Sequence, residues 1–232
     1  MTAANTSSAV MQQRSKELDS LDDFPTPPWG TRALLTFLAD RQLIGESMSA
    51  REPAANRGYL ARVLQESFGT VHASDICDYG AGYPIDDYLF PGVLPVVDWT
   101  ITNPPFKLAE QFIARALATS RRGVAMLVRS AFTEGAGRHE TLFRANAPHF
   151  TLQFTERLVM HQSKLVDPNT AVAVIDPKTG ETKMRKPSSA TAYCWVIWLT
   201  DRPAVTWSQL HWTGAVRKTL EKAGDYSSDA RP

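Results

Sequence analysis

Cysteine is nearly absent from this chain. Its two cysteines, Cys77 and Cys194, lie far apart, with no Cys-x-x-Cys and no His/Cys cluster at metal-ligand spacing. That excludes a disulfide framework and a zinc site, and leaves two reduced core thiols. Long apolar runs are absent too: nothing approaches the roughly 20 residues of a membrane-spanning helix. Residues 1–22 hold no apolar core of a secretory signal, so a cytoplasmic protein with no membrane partner and no metal is expected. The third shortage is of charge of one sign. Lys and Arg number 25 against 24 Asp and Glu, a net charge of +1. A chain cationic overall, the usual mark of a protein held to a duplex by many phosphates, is thereby excluded, and any basic face must be local. Internal repeats are also missing. What remains, 232 residues at 43% hydrophobic and 21% charged, suits one soluble domain with a full core.

The most informative stretch is residues 96–106, VVDWTITNPPF. Val, Trp, Ile and Thr in a run read as a buried strand, which the two prolines force to stop at Asn103. Each proline fixes its own φ and keeps the residue before it out of the helical region, so the polar end is a stiff rim. It presents the Asn103 amide, nearby carbonyls and the Phe106 ring. Two acceptors can hold both protons of a planar amino group while an aromatic face stacks on the ring that carries it. Drawing on both protons frees the nitrogen lone pair for an electrophile, a preorganised electrostatic effect. A strand that merely ends in a proline turn is the competing reading.

Asn103-Pro104-Pro105-Phe106 resembles motif IV of the amino-methyltransferases, which use S-adenosylmethionine and act on adenine, cytosine or protein glutamine. Other segments are similar to the rest of that family's signature, in the order a doubly wound sheet needs to line them along its carboxyl edge. Thr26 and Pro27, in a proline-rich lead into a helix whose apolar face is Leu34, Leu35, Phe37 and Leu38, match motif X, which contacts the cofactor carboxylate; Thr31 is a plausible N-cap. Glu52-Pro53-Ala54-Ala55-Asn56-Arg57-Gly58 resembles motif I, a turn of small residues between a strand and a helix that lets the cofactor approach the backbone. Asn56 stands where many members have glycine, and Asn tolerates a left-handed backbone. Asp75, with Ile76 after it, closes the next strand and is placed to accept the ribose hydroxyls. Asp87 and Tyr88 match motif III, a carboxylate for the adenine amine beside an aromatic ring.

The resemblance covers roughly residues 23–199 and is closest in kind to small, stand-alone, phage-type DNA adenine methyltransferases with motif X ahead of motif I. It implies a Rossmann-like methyltransferase fold: a seven-stranded, mostly parallel sheet with helices on both faces and an antiparallel last strand. It also implies S-adenosylmethionine as cofactor, catalysis by Asn103, Pro104, Pro105 and Phe106, and a target base swung out of the helix. Cofactor contacts are expected from Thr26, Pro27, Glu52, Pro53, Ala54, Gly58, Asp75, Ile76, Asp87, Tyr88 and Asn103.

The organisation expected is a mobile arm over residues 1–22, one domain over 23–224, and a loose tail over 225–232. Strands are expected at 123–129, 150–159 and 190–199, with helices at 108–118 and 213–223. The inserted loop 160–189 carries Lys164, Lys178, Lys183, Arg185 and Lys186, and with Arg138 is the expected nucleic-acid contact; the alternative is a solvated hairpin. Arg121, Arg122 and His139 are lesser candidates. So small a recognition region implies short or relaxed sequence specificity on DNA, ahead of RNA as partner, by a monomer or homodimer. The alternatives are an RNA adenine or protein glutamine methyltransferase, or a catalytically silent nucleic-acid-binding relative.

Overall fold

The computed structural model describes residues 22–175 and 180–226. Seven strands build one sheet: β1 (Ser49–Glu52), β2 (Thr70–Ala73), β3 (Val97–Thr102), β4 (Ser120–Arg129), β5 (Phe150–Gln153), β8 (Tyr193–Leu199) and β9 (Gln209–Trp212). Their spatial order is β2-β1-β3-β4-β8-β5-β9. The pairings β2/β1, β1/β3 and β3/β4 are parallel, and β8 runs antiparallel to both β4 and β5. β6 (Val172–Ile175) and β7 (Thr182–Arg185) form a separate antiparallel hairpin. Among the described residues no helix is long and apolar enough to cross a membrane.

Residue alternation along the central strands shows why helices cover both faces. Val124, Met126 and Val128 of β4, with Cys194, Val196 and Trp198 of β8, pack against Phe112, Ile113 and Ala116 of helix α3 (Ala109–Thr119). The intervening Ala125, Leu127, Trp195 and Ile197 pack against Trp29, Leu34 and Leu38 of α1 (Pro28–Ala39) and against Leu60 and Leu64 of α2 (Tyr59–Leu64). Strands buried on both faces read as continuous apolar runs, as residues 123–128 do. Trp195 ties its layer together by donating its indole N–H to the Gly30 carbonyl at 2.9 Å.

The two central strands approach closely at one point. A methyl group added at Gly123 would stand 2.5 Å from the Trp99 ring and 2.9 Å from the Trp198 carbonyl oxygen. Gly123→Ala is therefore expected to cost about 2 kcal/mol of stability through overpacking, read as a lower denaturation midpoint with an unchanged slope.

Several elements differ from the sequence-based expectation. The first helix begins at Pro28, not after Thr31; proline suits a first turn because its missing N–H has no partner to lose, and Thr31 is wholly buried inside the helix. The strand expected over 150–159 ends at Gln153. The antiparallel strand, β8, is not the last: a short parallel strand, β9, pairs with β5 at the sheet's edge. The helix expected over 213–223 contracts to Arg217–Leu220.

Candidate active site

β1 lies between β2 and β3, so the chain leaves it to opposite sides and a crevice opens beyond the carboxyl ends of β1 and β3, the usual ligand position in such sheets. The crevice is open at its mouth, with about 470 Å³ of space between its walls when the adjoining solvent is counted. Thr26, Ala54, Asn56, Tyr59, Asp75 and Asn103 are among the residues that line it.

The β1 turn is built as its small residues dictate. Pro53 ends the strand, Asn56 takes the left-handed conformation expected of it (φ 50°), and Gly58 does the same (φ 78°) as it opens α2. Gly58 is needed twice over, because a side chain there would also run into the Tyr83 ring. That ring fills the space over Gly58 where the sequence places the cofactor, and Gly58 does not line the crevice. Gly58→Ala is expected to cost about 2 kcal/mol, from the left-handed backbone and the ring it displaces; chemical denaturation checks it.

Glu52, the last residue of β1, is wholly buried. Its Oε1 accepts from the Thr102 hydroxyl at 2.5 Å and from the Ala54 N–H at 3.0 Å. Its Oε2 is buried with no donor. Burial pushes the carboxyl up from 4.5 to about 8, and the two hydrogen bonds only partly offset this. At the next strand end, the Asn103 side-chain N–H donates to the Phe24 carbonyl at 3.0 Å, which leaves Oδ1 buried without a donor. Thr102 thus joins two neighbouring strand ends, each carrying one unmatched acceptor.

Asp75 lies two residues past β2 and lines the crevice, where its carboxylate accepts from the Asn56 N–H (2.8 Å) and the Cys77 N–H (3.0 Å). Burial raises its pKa despite these bonds. It therefore shapes the β1 turn, and each oxygen keeps acceptor capacity.

A strap of chain, residues 22–24, crosses the proline turn. The Phe106 N–H donates to the Asp22 carboxylate at 2.9 Å, and Phe24 packs on Phe106 with ring centroids 5.5 Å apart. Asp23 anchors the strap by an ion pair with Arg57 at 2.8 Å and a bond from the Asn56 amide. Burial disfavours the Asp23 charge, but those partners hold its pKa below the usual range. The root of the 160–189 loop meets the same place: the Ser163 N–H donates to the Asp23 carbonyl, and Met160 Sδ lies 4.0 Å from the Asn103 amide nitrogen.

Thr26, Ala54, Asp75, Asn103 and Pro105 are thus gathered around one crevice, with Glu52 bonded beneath its wall. Pro27 and Pro53 are buried beside it, Pro104 is buried within its turn, and Phe106 is half-buried. Ile76 is exposed. Tyr88 is not brought to the crevice: it is buried against Phe112 under α3, with ring centroids 5.0 Å apart. Asp87 is exposed and caps its own turn, accepting from the Leu89 N–H. Of the basic candidates, Lys164, Lys183, Arg185 and Lys186 are exposed, Lys183 pairing with Glu181, while Lys178 lies outside the described residues. Arg138 is tied to Glu110 and to the carbonyls of Phe132 and Glu134. Arg121 and Arg122 are paired with Asp98 and Asp201 at the sheet's opposite edge, and His139 with Glu140.

Sequence reasoning missed Asp22, Tyr79, Arg129 and Tyr193. Asp22 and Tyr79 line the crevice, and the Arg129 guanidinium lies over the Phe106 ring, 4.1 Å from its centroid. No motif marks them. The only signal for Arg129 was its position at the end of an apolar strand.

The chain matches no protein-family model and no curated protein. Among solved structures, 90% of it superposes, with a TM-score of 0.54 and 13% identity, on 71% of a Listeria monocytogenes protein assigned as a class I S-adenosylmethionine-dependent methyltransferase. The methyltransferase subunit of a type I restriction-modification system from Streptococcus thermophilus matches with a TM-score of 0.50 and 11% identity over 88% of this chain. The match covers 55% of that subunit, so this chain spans about half its length. At such identities the likeness is one of fold. The chain has the Rossmann-like methyltransferase fold, a seven-stranded, mostly parallel sheet with one antiparallel strand.

Proposed function

We propose that this protein transfers a methyl group from S-adenosylmethionine to the exocyclic N6 amine of adenine in DNA. The observation that carries the reading is a pair of buried side-chain oxygens without partners, Glu52 Oε2 and Asn103 Oδ1, on neighbouring strand ends linked through Thr102 beside the crevice. Buried acceptors without donors are costly unless a ligand completes them. A cofactor with a cationic amine suits Glu52, and a substrate with an amino group suits Asn103. Ala54 and Ala55 leave the backbone open to approach, Thr26 and Pro27 border the carboxylate end, and Asp75 offers acceptors to the ribose hydroxyls.

The cofactor supplies a sulfonium methyl already activated for transfer. The protein has to align the acceptor and exclude water. Asn103 Oδ1 and the Pro104 carbonyl accept hydrogen bonds from the two amine N–H groups, Phe106 stacks on the base, and the positive charge left on the methylated nitrogen is lost with one proton to solvent after transfer. The Asn103 N–H bond to Phe24 fixes which end of the amide faces the amine, and the prolines keep the turn from relaxing. Methylation of a ring carbon would need a reactive thiolate. Cys194 does not suit that role, because burial pushes its thiol up to about 11. The same holds for Cys77, raised by burial and by Asp75.

A nucleic-acid substrate is favoured by the loop 160–189, which starts at the catalytic turn and carries the exposed Lys164, Lys183, Arg185 and Lys186; the choice of DNA over RNA rests on the resemblance in the sequence motifs. Its modest size favours short or relaxed sequence specificity. Incubating the purified protein with methyl-labelled S-adenosylmethionine and, separately, DNA, RNA and protein tests the reading. Label is expected in DNA; label confined to RNA or protein, or in none of them, would contradict it.

A further inference from the structure

Phe106 is not free to receive a base as it stands. The Arg129 guanidinium covers a face of its ring, 4.1 Å from the centroid, and Tyr193 lies nearly parallel to Phe106 with ring centroids 6.4 Å apart. Tyr193 pairs with Arg129 in the sheet register, at the crevice end of β4. Two planar groups cannot occupy one face of one ring, since each needs the same 3.5–4 Å of stacking distance.

Arg129 also lacks the carboxylate partner that several arginines elsewhere in the fold have. Arg32, Arg57, Arg121, Arg138 and Arg217 are each held by a carboxylate. Arg129 has no ion pair among the described residues, and its Nε is buried without a hydrogen-bond partner. No carboxylate holds this cation: its contact with the catalytic ring, an attraction of about 1–2 kcal/mol, and a hydrogen bond to the Tyr193 side chain keep it in place. Both are weak enough for a stacking base and a phosphate to outcompete together.

On the reading that this is a base amino-methyltransferase, we infer that Arg129 is a substrate-binding residue that stands in for the target base on Phe106 and, displaced by it, takes a backbone phosphate of the extruded nucleotide. The planar guanidinium is suited to both positions: it stacks on aromatic rings and binds phosphate in bidentate fashion. Because stacking and phosphate binding exclude each other, the charge becomes available only when the base has entered.

The test is methylation of mixed-sequence duplex DNA by the full chain, with kcat and KM measured across a series of salt concentrations. Arg129→Ala and the planar, neutral Arg129→Gln are expected to raise KM about tenfold or more at little change in kcat. They should also make the log–log dependence of kcat/KM on salt shallower by about one phosphate contact. Arg129→Lys, which keeps the charge, should retain the wild-type slope, and all three should bind S-adenosylmethionine as the wild type does. A wild-type KM and salt slope in Arg129→Gln would overturn the inference, as would a loss confined to kcat or an equal loss in Arg129→Lys. A wild type that methylates no nucleic acid would instead fail the underlying reading, and the inference with it.

Discussion

Asn103→Ala is expected to lower kcat for methyl transfer by at least about 10²–10³-fold while S-adenosylmethionine binds with near wild-type affinity. The size follows from removing a preorganised polar group aimed at charge that develops only in the transition state. The selectivity follows from position. Oδ1 is a buried acceptor with no partner in the protein, so its removal breaks no internal bond, and what is lost is the Nδ2 bond to the Phe24 carbonyl and its long contact with Met160 Sδ. Asn103→Asp should be nearly as inactive despite keeping an acceptor, because a carboxylate oxygen would face the Phe24 carbonyl where an N–H now donates. Calorimetric titration with the cofactor beside single-turnover methylation separates the two steps. Equal loss of binding and catalysis would mean that Asn103 acts on the cofactor.

Glu52→Gln is expected to act on binding and on stability in opposite directions. With the carboxyl pushed to about 8, the free protein carries Glu52 mostly protonated at neutral pH. A cationic amine beside Oε2 favours the charged form, so cofactor binding should release up to one proton near pH 7 and tighten as pH rises towards 8. Calorimetry in two buffers of different ionisation enthalpy measures that release. Glu52→Gln should release none and bind about 10–100-fold more weakly, the usual range for a lost charged hydrogen bond. For stability, the folded-state value lies above the unfolded one. Between about pH 4.5 and 8 the unfolded chain has therefore lost a proton that the folded protein keeps, and the wild type loses stability as pH rises, by up to ~1.4 kcal/mol per unit. Below that window and above it the contribution is flat. Without ligand, the Gln variant should gain on the wild type steadily across the window; parallel pH profiles would refute the buried, protonated carboxyl.

Much of this was legible in the residues because the signals were local. Two prolines after a β-branched run fix where β3 stops, and the order of strand ends places Thr26, Ala54, Asp75 and Asn103 around one crevice. A left-handed Asn56 follows from what Asn tolerates. The rest was hidden where tertiary contacts decide. Tyr88 reads as a cofactor ring, yet its apolar body is worth more under α3 beside Phe112. Arg138 reads as a free cation until Glu110, distant in sequence, is seen to hold it. Gly58 reads as cofactor space, and Tyr83 fills it. β9 is four residues with no pattern of its own, held by pairing with β5 and by the His211 ring against Phe37 and Phe150. The strap at Asp22 and the guanidinium on Phe106 belong to no motif, since their roles arise from proximity across the fold.

The central claim is that a proline-stiffened turn grips an exocyclic amine and directs a methyl group onto its nitrogen. The most direct measurement is to digest DNA methylated by the purified protein to nucleosides and identify the product by mass spectrometry. The account predicts N6-methyl-2′-deoxyadenosine, absent with Asn103→Ala. A methyl group on a ring carbon, such as C5 of cytosine, or one that persists in Asn103→Ala, would contradict it.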